Sequence, residues 1–231
     1  MTLSVSTIGD NPQQPGINAE TYIPDQLIAG NLKLVSQDIT LDAGTLVRGT
    51  VLGQKTLGAA AGVAGKPAGG ANTGTGVISA VTVGANAQLG NYVLTALSAV
   101  DFQVVAPNGD RLAEATAGVA YADQIGFTIT AGGTAFVVGD GFTVTLAAGD
   151  GNFIESVATA LDGSQNPVAI LVDVADASGG PVATGAYVMG EFNENAITFD
   201  ASWTLGSLTA ALRRNAPGIF LKNSVSAADP T

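Results

Sequence analysis

Residues 46–52 read Leu-Val-Arg-Gly-Thr-Val-Leu, a short strand pattern, and the composition changes abruptly a few positions later. Residues 58–76 hold seven Gly and six Ala in 19 positions, with one proline among them. Such a stretch is typical of a flexible linker. After residue 151 the character of the sequence reverts to that of the first segment. The sequence therefore predicts one domain that is interrupted by a second module.

Short strands are predicted on both sides of the interruption. Before it, residues 33–36 and 38–41 alternate apolar and polar side chains, and the turn at residues 42–44 leads into residues 46–52. After it, Val168-Ala169-Ile170-Leu171-Val172 is an apolar run typical of a buried strand, residues 186–192 form another strand, and a last one begins at Ile219. We expect much of the core to come from a few large side chains: Ile170, Val172, Phe192, Ile219 and Phe220.

One helix is predicted from Thr204 to Arg214. Thr204 is a suitable N-cap, and Arg213 and Arg214 lie at the end where the helix dipole favours cations. The apolar positions fall on one face of this helix: Leu205, Leu208, Ala211 and Leu212. The fold class predicted for residues 22–56 plus 152–231 is therefore a mainly-β, α+β domain with one short helix.

Residues 77–150 are predicted to form an all-β insertion, which follows the Gly/Ala-rich linker of residues 57–76. Turn signals stand at residues 107–110 and 131–134. Six short strands are predicted: 77–83, 92–97, 102–105, 112–115, 124–130 and 142–147. Such spacing is typical of a small sandwich.

The composition excludes several function classes. The 231 residues contain no Cys and no His, so disulfides, thiol nucleophiles, zinc fingers and Ser-His-Asp triads are excluded. A net charge of −11 is a poor match for nucleic acid or for an anionic membrane. No apolar run approaches the roughly 20 residues that span a bilayer, and the first 20 residues do not resemble a signal peptide. We expect a soluble protein that is synthesised in the cytoplasm.

Four motifs could carry chemistry, but each has a plainer interpretation. The glycine-rich segment at residues 70–74 lacks the Gly-Lys-Ser/Thr ending of a phosphate loop, and residues 139–141 lack the later ligands of a calcium loop. Two pairs of acids are spaced for acid/base work but are more often solvated side chains: Glu191 with Glu194, and Asp173 with Asp176. We predict no enzyme, no cofactor and no metal site.

Residues 1–21 are predicted to form an extended N-terminal arm. The segment is polar, and residues 11–16 contain two prolines that a helix or a strand ladder does not accommodate. Its few large apolar residues are too few to anchor a core: Leu3, Val5, Ile8 and Ile17. An extended arm of this kind can instead lie on a partner surface.

Five segments in one order resemble the head decoration proteins of tailed bacteriophages, the lambda-type capsid-stabilising family. They are residues 22–30 (Tyr-Ile-Pro-Asp-Gln-Leu-Ile-Ala-Gly), 46–53, 162–171 (Asp-Gly-Ser-Gln-Asn-Pro-Val-Ala-Ile-Leu), 187–193 (Tyr-Val-Met-Gly-Glu-Phe-Asn) and 218–222. No single segment is diagnostic, but the ordered set is fairly specific. Family members usually join the second and third segments by a short hairpin, where this chain carries residues 57–151.

The resemblance implies a structural virion protein that is synthesised in the host cytoplasm. Such a protein binds the major capsid protein as a homotrimer on the outer surface of the head and stabilises the expanded capsid. The insertion resembles the glycine-rich β modules, often immunoglobulin-like, that are grafted onto other phage surface proteins. The resemblance therefore implies an immunoglobulin-like sandwich that projects outward. The capsid contacts are expected in the arm and just after it: Leu3, Val5, Ile8, Ile17, Tyr22, Ile23 and Pro24. The alternative is a host-surface or carbohydrate-binding adhesion module that is displayed on the virion.

Overall fold

The computed structural model describes residues 26–223. Before the interruption lie β1 (Val35–Leu41), β2 (Thr45–Leu46) and β3 (Val51–Gln54). Within it lie β4 (Leu57–Ala64), β5 (Val77–Ile78), β6 (Thr82–Val83), β7 (Gly90–Ala96), β8 (Asp101–Val105), β9 (Ala115–Thr116), β10 (Ala120–Ala122), β11 (Ile125–Thr130) and β12 (Gly141–Ala148). After it follow β13 (Phe153–Glu155), β14 (Pro167–Leu171), β15 (Ala175–Asp176), β16 (Val182–Asn193), α1 (Leu205–Asn215) and β17 (Ile219–Lys222). We call residues 57–148 the insert and the rest of the described chain the base.

Five strands of the base close into a ring. β1 pairs with β13, β13 with β3, β3 with β14, β14 with β16, and β16 pairs again with β1. Only the β1–β13 pair is parallel, and β17 adds in parallel to the far end of β16. One buried cluster comes from the ring strands and from β15 beside them, and includes Leu41, Leu52, Phe153, Leu171 and Ala186. The base is therefore mainly β with one helix, as predicted.

A second core lies between the ring and α1. Val51, Ile170 and Phe192 pack there with Leu208 and Leu212 of the helix. Because successive strand residues point to opposite faces, β3 and β14 are buried on both sides. This double burial explains the apolar run at residues 168–172. Three of the five residues expected in the core, Ile170, Phe192 and Ile219, are buried; Val172 is only partly so and Phe220 is 47% exposed.

The predicted helix is confirmed with its N-cap. The Thr204 hydroxyl accepts from the backbone N–H of Ser207, and the Ser207 hydroxyl accepts in return from that of Thr204. This capping box satisfies donors that the first turn would otherwise leave free. Leu208, Ala211 and Leu212 are buried, as the periodicity of the sequence indicates.

The insert is all-β, as predicted, and two sheets contribute to its core. One sheet has the order β4-β12-β7-β8-β9, and in the other β11 pairs with β10, β5 and β6. The rings of Phe102, Phe136 and Phe142 lie with centroids 5.0–6.0 Å apart in the shared core, to which Tyr121 and Ile129 of the second sheet also contribute. The immunoglobulin-like topology stays a prediction.

The flexible linker predicted for residues 57–76 is corrected by the structure, because residues 57–64 form β4. This strand pairs along its length with β12. A Cβ added at Gly58 would lie 2.5 Å from the Ala148 carbonyl oxygen, and one at Gly62 would lie 2.8 Å from the side chain of Ile78. The small side chains of β4 therefore permit close packing. The single strand predicted at residues 46–52 is also divided, since the chain turns at Gly49, where φ is +85°.

Candidate functional surfaces

The insert and the base are joined by one continuous antiparallel strand pair. Phe153 lies opposite Gln54 on the base side, and Ala148 lies opposite Leu57 on the insert side. Between them, the backbone N–H of Lys55 donates to the Asn152 carbonyl at 2.9 Å. Both ends of the insertion therefore fall in one hairpin of the base, the place where the family resemblance implies a short turn.

An ionic cluster surrounds this junction. The Lys55 ammonium lies 2.7 Å from a carboxylate oxygen of Asp42 and 2.7 Å from one of Asp150. Asn152 donates its side-chain amide to Asp42 at 3.1 Å. Hydrogen bonds from Lys55 lower the pKa of both carboxyl groups, and the carboxylates of Asp150 and Asp42 raise the pKa of Lys55. The cluster links the β1–β2 turn of the base to both strands of the junction.

A loop of the base supports the first residues of the insert. The backbone N–H groups of Thr56 and Leu57 both donate to the Asp162 carbonyl, at 2.9 and 2.8 Å. Gly163 adopts a φ of +102°, and a Cβ there would collide with Thr56. Backbone pairing, the ionic cluster and this loop together hold the junction.

The base exposes apolar side chains at the far end of β16, where β1 and β17 pair with it. Val35 lies opposite Met189 on β16, and Phe220 lies opposite Glu191 two residues further along. The register shifts between Val35 and Ser36, so the pairing does not fix a common face for Val35 and Met189. Phe220 lies on the face of β17 that points away from α1, because Ile219 and Leu221 pack toward the helix. Val35 is 38% exposed and Phe220 47% exposed. We call Val35, Met189 and Phe220 the sheet-face patch.

The acids considered as catalytic pairs have structural partners. Glu191 forms an ion pair with Lys222 beside the sheet-face patch and accepts from the backbone N–H of Leu32. Lys222 lowers the pKa of Glu191. Glu194 donates its backbone N–H to the Lys222 carbonyl. Among residues 26–223, no hydrogen bond links the carboxylate of Glu194 to that of Glu191.

Of the second pair of acids, Asp173 lies in a bend and Asp176 ends the short strand β15. Asp173 accepts from the backbone N–H of Val174 at 2.8 Å. Asp176 accepts from the Thr45 hydroxyl at 2.8 Å and from the backbone N–H of Ser178 at 3.0 Å. These bonds stabilise the chain locally, which matches the plainer interpretation of both residues.

Asp140 organises the glycine-rich loop, a role that the sequence analysis missed. Its buried carboxylate accepts from the backbone N–H groups of Thr73, Gly74 and Val137 at 2.8–3.1 Å, and Lys66 Nζ lies 3.8 Å away. Burial raises the pKa of Asp140, but the three N–H donors lower it by more. The segment considered as a phosphate loop does bind an anion, namely the chain's own carboxylate.

The residues expected to contact the capsid lie outside the described residues. These are Leu3, Val5, Ile8, Ile17, Tyr22, Ile23 and Pro24. The described chain begins beside them: Ala29 donates its backbone N–H to the Glu191 carbonyl, and Asn193 donates to that of Leu27. The first described residues, 27–29, therefore run along the far end of β16, next to the sheet-face patch.

Residues 26–223 bring together no group of three or more metal-ligating side chains. Over the same range, no helix combines the length and the apolar character that crossing a membrane requires.

Comparison with known protein families gives a match over most of the chain. The family described as Bacteriophage lambda head decoration protein D matches residues 17–219. The comparison with curated proteins gives no match.

Two solved structures, both crystal structures of Xanthomonas campestris FlgL in different space groups, are 19% and 20% identical to this chain. Each has a TM-score of 0.31; they cover 45% and 44% of this chain and 34% and 33% of FlgL. The chain thus spans about a third of the FlgL chains that it matches. At this TM-score the similarity supports no conclusion about the fold or the function of this chain.

Proposed function

Because the chain belongs to the family of the bacteriophage lambda head decoration protein D, we propose that it binds the outer surface of a phage head as a homotrimer and stabilises the expanded capsid. The observation that carries this proposal is the family match over residues 17–219, which spans the whole ring of the base and α1. The family is structural and capsid-associated, so the function is assembly rather than catalysis.

The sheet-face patch supports the homotrimer. Phe220 and Val35 are exposed at the far end of β16 and leave apolar area that a second subunit would remove from water. Burying such a side chain contributes about 1.5–3 kcal/mol. A ring this small gains from burial between subunits. In the proposed trimer, the patch of one subunit contacts its neighbour.

The arm of residues 1–21 supplies the contact with the major capsid protein. Leu3, Val5, Ile8 and Ile17 provide its apolar contacts, and Tyr22, Ile23 and Pro24 continue them toward the base. Fixing each residue costs about 1–2 kcal/mol, so the arm binds only where a partner offers apolar pockets and strand-type hydrogen bonds. Neither nucleic acid nor a membrane is a partner in this proposal, since a net charge of −11 opposes both.

The insert projects away from the capsid in this proposal. The supporting observation is the junction, where the chain leaves and rejoins one hairpin of the base through paired strands. An insertion at such a position leaves the base ladder intact. The alternative function, adhesion to a host-surface carbohydrate through the insert, would use the same outward position.

The experiment is decoration of purified expanded heads that lack this protein. Heads are mixed with the full chain or with a variant lacking residues 1–21, and bound protein is quantified by sedimentation and located by electron microscopy. The proposal expects three-fold density, heads that resist heat, and strong loss of binding without the arm. Full-chain protein that does not bind the heads would contradict it. Equal binding by the truncated variant would contradict only the proposed role of the arm.

A further inference from the structure

A cavity of about 440 Å³ lies where the insert meets the base. Thr56 lies at the junction, Asn86 belongs to the insert, and Gln165, Trp203 and Arg214 belong to the base. Its volume falls within the usual range for sites that bind small molecules. The cavity therefore depends on both parts of the chain, and neither part forms it alone.

The charge of the cavity is opposite to that of the protein. The chain carries 19 acidic residues and 8 basic ones, yet no acidic residue lines the cavity. Arg214 does line it, and its guanidinium forms no hydrogen bond or ion pair with the described part of the chain, whereas Lys55, Lys66 and Lys222 all meet carboxylates. A free guanidinium binds a carboxylate through two parallel hydrogen bonds. The ligand that fits this end of the cavity is therefore an anion.

The rest of the lining is suited to hydroxyl groups. Gln165 uses its side-chain oxygen to accept from Gly163, and Asn166 uses its own to accept from Asn215, so within residues 26–223 both NH₂ groups have no partner. Asn86 forms no side-chain hydrogen bond with any described residue. Three amide side chains in one cavity can form hydrogen bonds with a ligand that carries several acceptors and donors.

Trp203 supplies the apolar wall and is held in place. Its indole nitrogen donates to the Ser156 carbonyl at 3.0 Å, which fixes the ring while part of it lines the cavity. A fixed aromatic ring beside amide groups suits a ligand with one apolar face and polar edges. The ring of a sugar has this character.

Asn86 is the one non-glycine residue with a positive φ among residues 26–223, at +59°. Asparagine adopts this left-handed conformation in turns without strain, and Asn86 lies in a turn that borders the cavity. From these observations we infer that the cavity binds a carboxylated sugar, such as a uronic acid at the end of a saccharide. Arg214 holds its carboxylate, Trp203 packs against its ring, and the amides of Asn86, Gln165 and Asn166 bind its hydroxyl groups. The inference does not rest on capsid binding.

The single tryptophan of the chain gives a direct test. The full-length protein is titrated with glucuronate, glucose or N-acetylglycine while the fluorescence of Trp203 is recorded, and binding is checked by calorimetry. Glucose has the ring without the carboxylate, and N-acetylglycine has the carboxylate without the ring. The inference expects saturable binding of glucuronate that is about tenfold or more tighter than that of either other compound.

Arg213 provides a matched control. It precedes Arg214 at the same helix end, is equally exposed and does not line the cavity. R214Q and R213Q therefore lose the same interaction with the helix dipole. R214Q should weaken glucuronate binding about tenfold or more, and R213Q should leave it unchanged. N86G keeps a backbone that tolerates the positive φ and should weaken binding about two- to tenfold.

Four results would overturn the inference. Absence of glucuronate binding would show that the cavity takes no such ligand. Equal binding of N-acetylglycine would show a site for peptide carboxylates instead. Equal binding of glucose, or equal effects of R213Q and R214Q, would show that no carboxylate is bound by Arg214. Because both arginines are exposed, both variants should fold, and circular dichroism verifies this.

Discussion

The backbone N–H of Lys55 donates to the Asn152 carbonyl at 2.9 Å, so the strands into and out of the insert are paired where they leave the base. The cores do not continue across this point. The buried cluster of the insert includes only residues of the insert, and the two clusters of the base include only residues of the base. The two parts therefore share a ladder but no hydrophobic core.

Removal of the insert should leave a folded base. Residues 57–148 are replaced by Asn-Gly, which closes a two-residue hairpin between Thr56 and Gly149. Both base clusters remain complete, so we expect a cooperative thermal transition and an unchanged helix signal by circular dichroism. Light scattering should give the oligomer of the full chain. An unfolded or aggregated product would show that the insert stabilises the base core.

Loss of the Lys55 ammonium should destabilise the junction. K55M leaves the Asp42 and Asp150 carboxylates without the cation they share, and their pKa values should return toward the ordinary range. We expect a lower midpoint of thermal unfolding at neutral pH. K33M is the control, because Lys33 is exposed and forms no ion pair with the described residues.

The effect of K55M on the unfolding midpoint should depend on pH. Asp42 and Asp150 have folded-state pKa values below their unfolded ones, so their contribution is complete above the unfolded pKa and is lost as the pH falls through the folded pKa. The difference in unfolding midpoint between the natural chain and K55M should therefore be largest at neutral pH and disappear in strong acid. If the difference were constant across this range, the effect of K55M would come from packing of the aliphatic part of Lys55 and not from its charge.

Large apolar side chains and local caps made much of the base predictable. The run at residues 168–172 and the helix at Thr204 depend on neighbours within a few positions, and both were predicted correctly. These two patterns predict the structure correctly because the residues that form each pattern are the same ones that are buried or that cap the helix. The hairpin that accepts the insert was expected only from the family resemblance, since no strand was predicted at residues 153–155.

Four features could not be read from local patterns. β4 consists mostly of Ala and Gly, which lack the side chains that indicate a strand, and its partner β12 lies far along the chain. Asp140 receives N–H donors from Thr73 and Gly74, more than 60 positions away. Phe220 was expected in the core, but on β17 only the alternate face packs against α1. The cavity likewise depends on long-range packing.

Asp140 should be essential for the glycine-rich loop. D140N replaces one acceptor oxygen by an NH₂ group that faces the N–H donors of Thr73, Gly74 or Val137, and it removes the charge that attracts Lys66. We expect faster hydrogen exchange at the backbone amides of residues 66–74 and a lower unfolding midpoint. E114Q removes the same charge from an exposed side chain and should change neither. Unchanged exchange in D140N would mean that other contacts order the loop.

The sheet-face patch should decide the oligomeric state. F220S removes the largest exposed apolar side chain of the patch, while the fold should persist because the ring is 47% exposed and its face is opposite α1. If each subunit buries this ring against a neighbour, its loss costs about 1.5–3 kcal/mol per contact, and three contacts are lost at once. We therefore expect F220S to sediment as a monomer at concentrations where the natural chain is a trimer. V63S is the control, since Val63 is 65% exposed on the insert and lies outside the patch. If F220S were still a trimer, the subunit contact would lie outside the sheet-face patch. If V63S were a monomer, the contact would involve the insert.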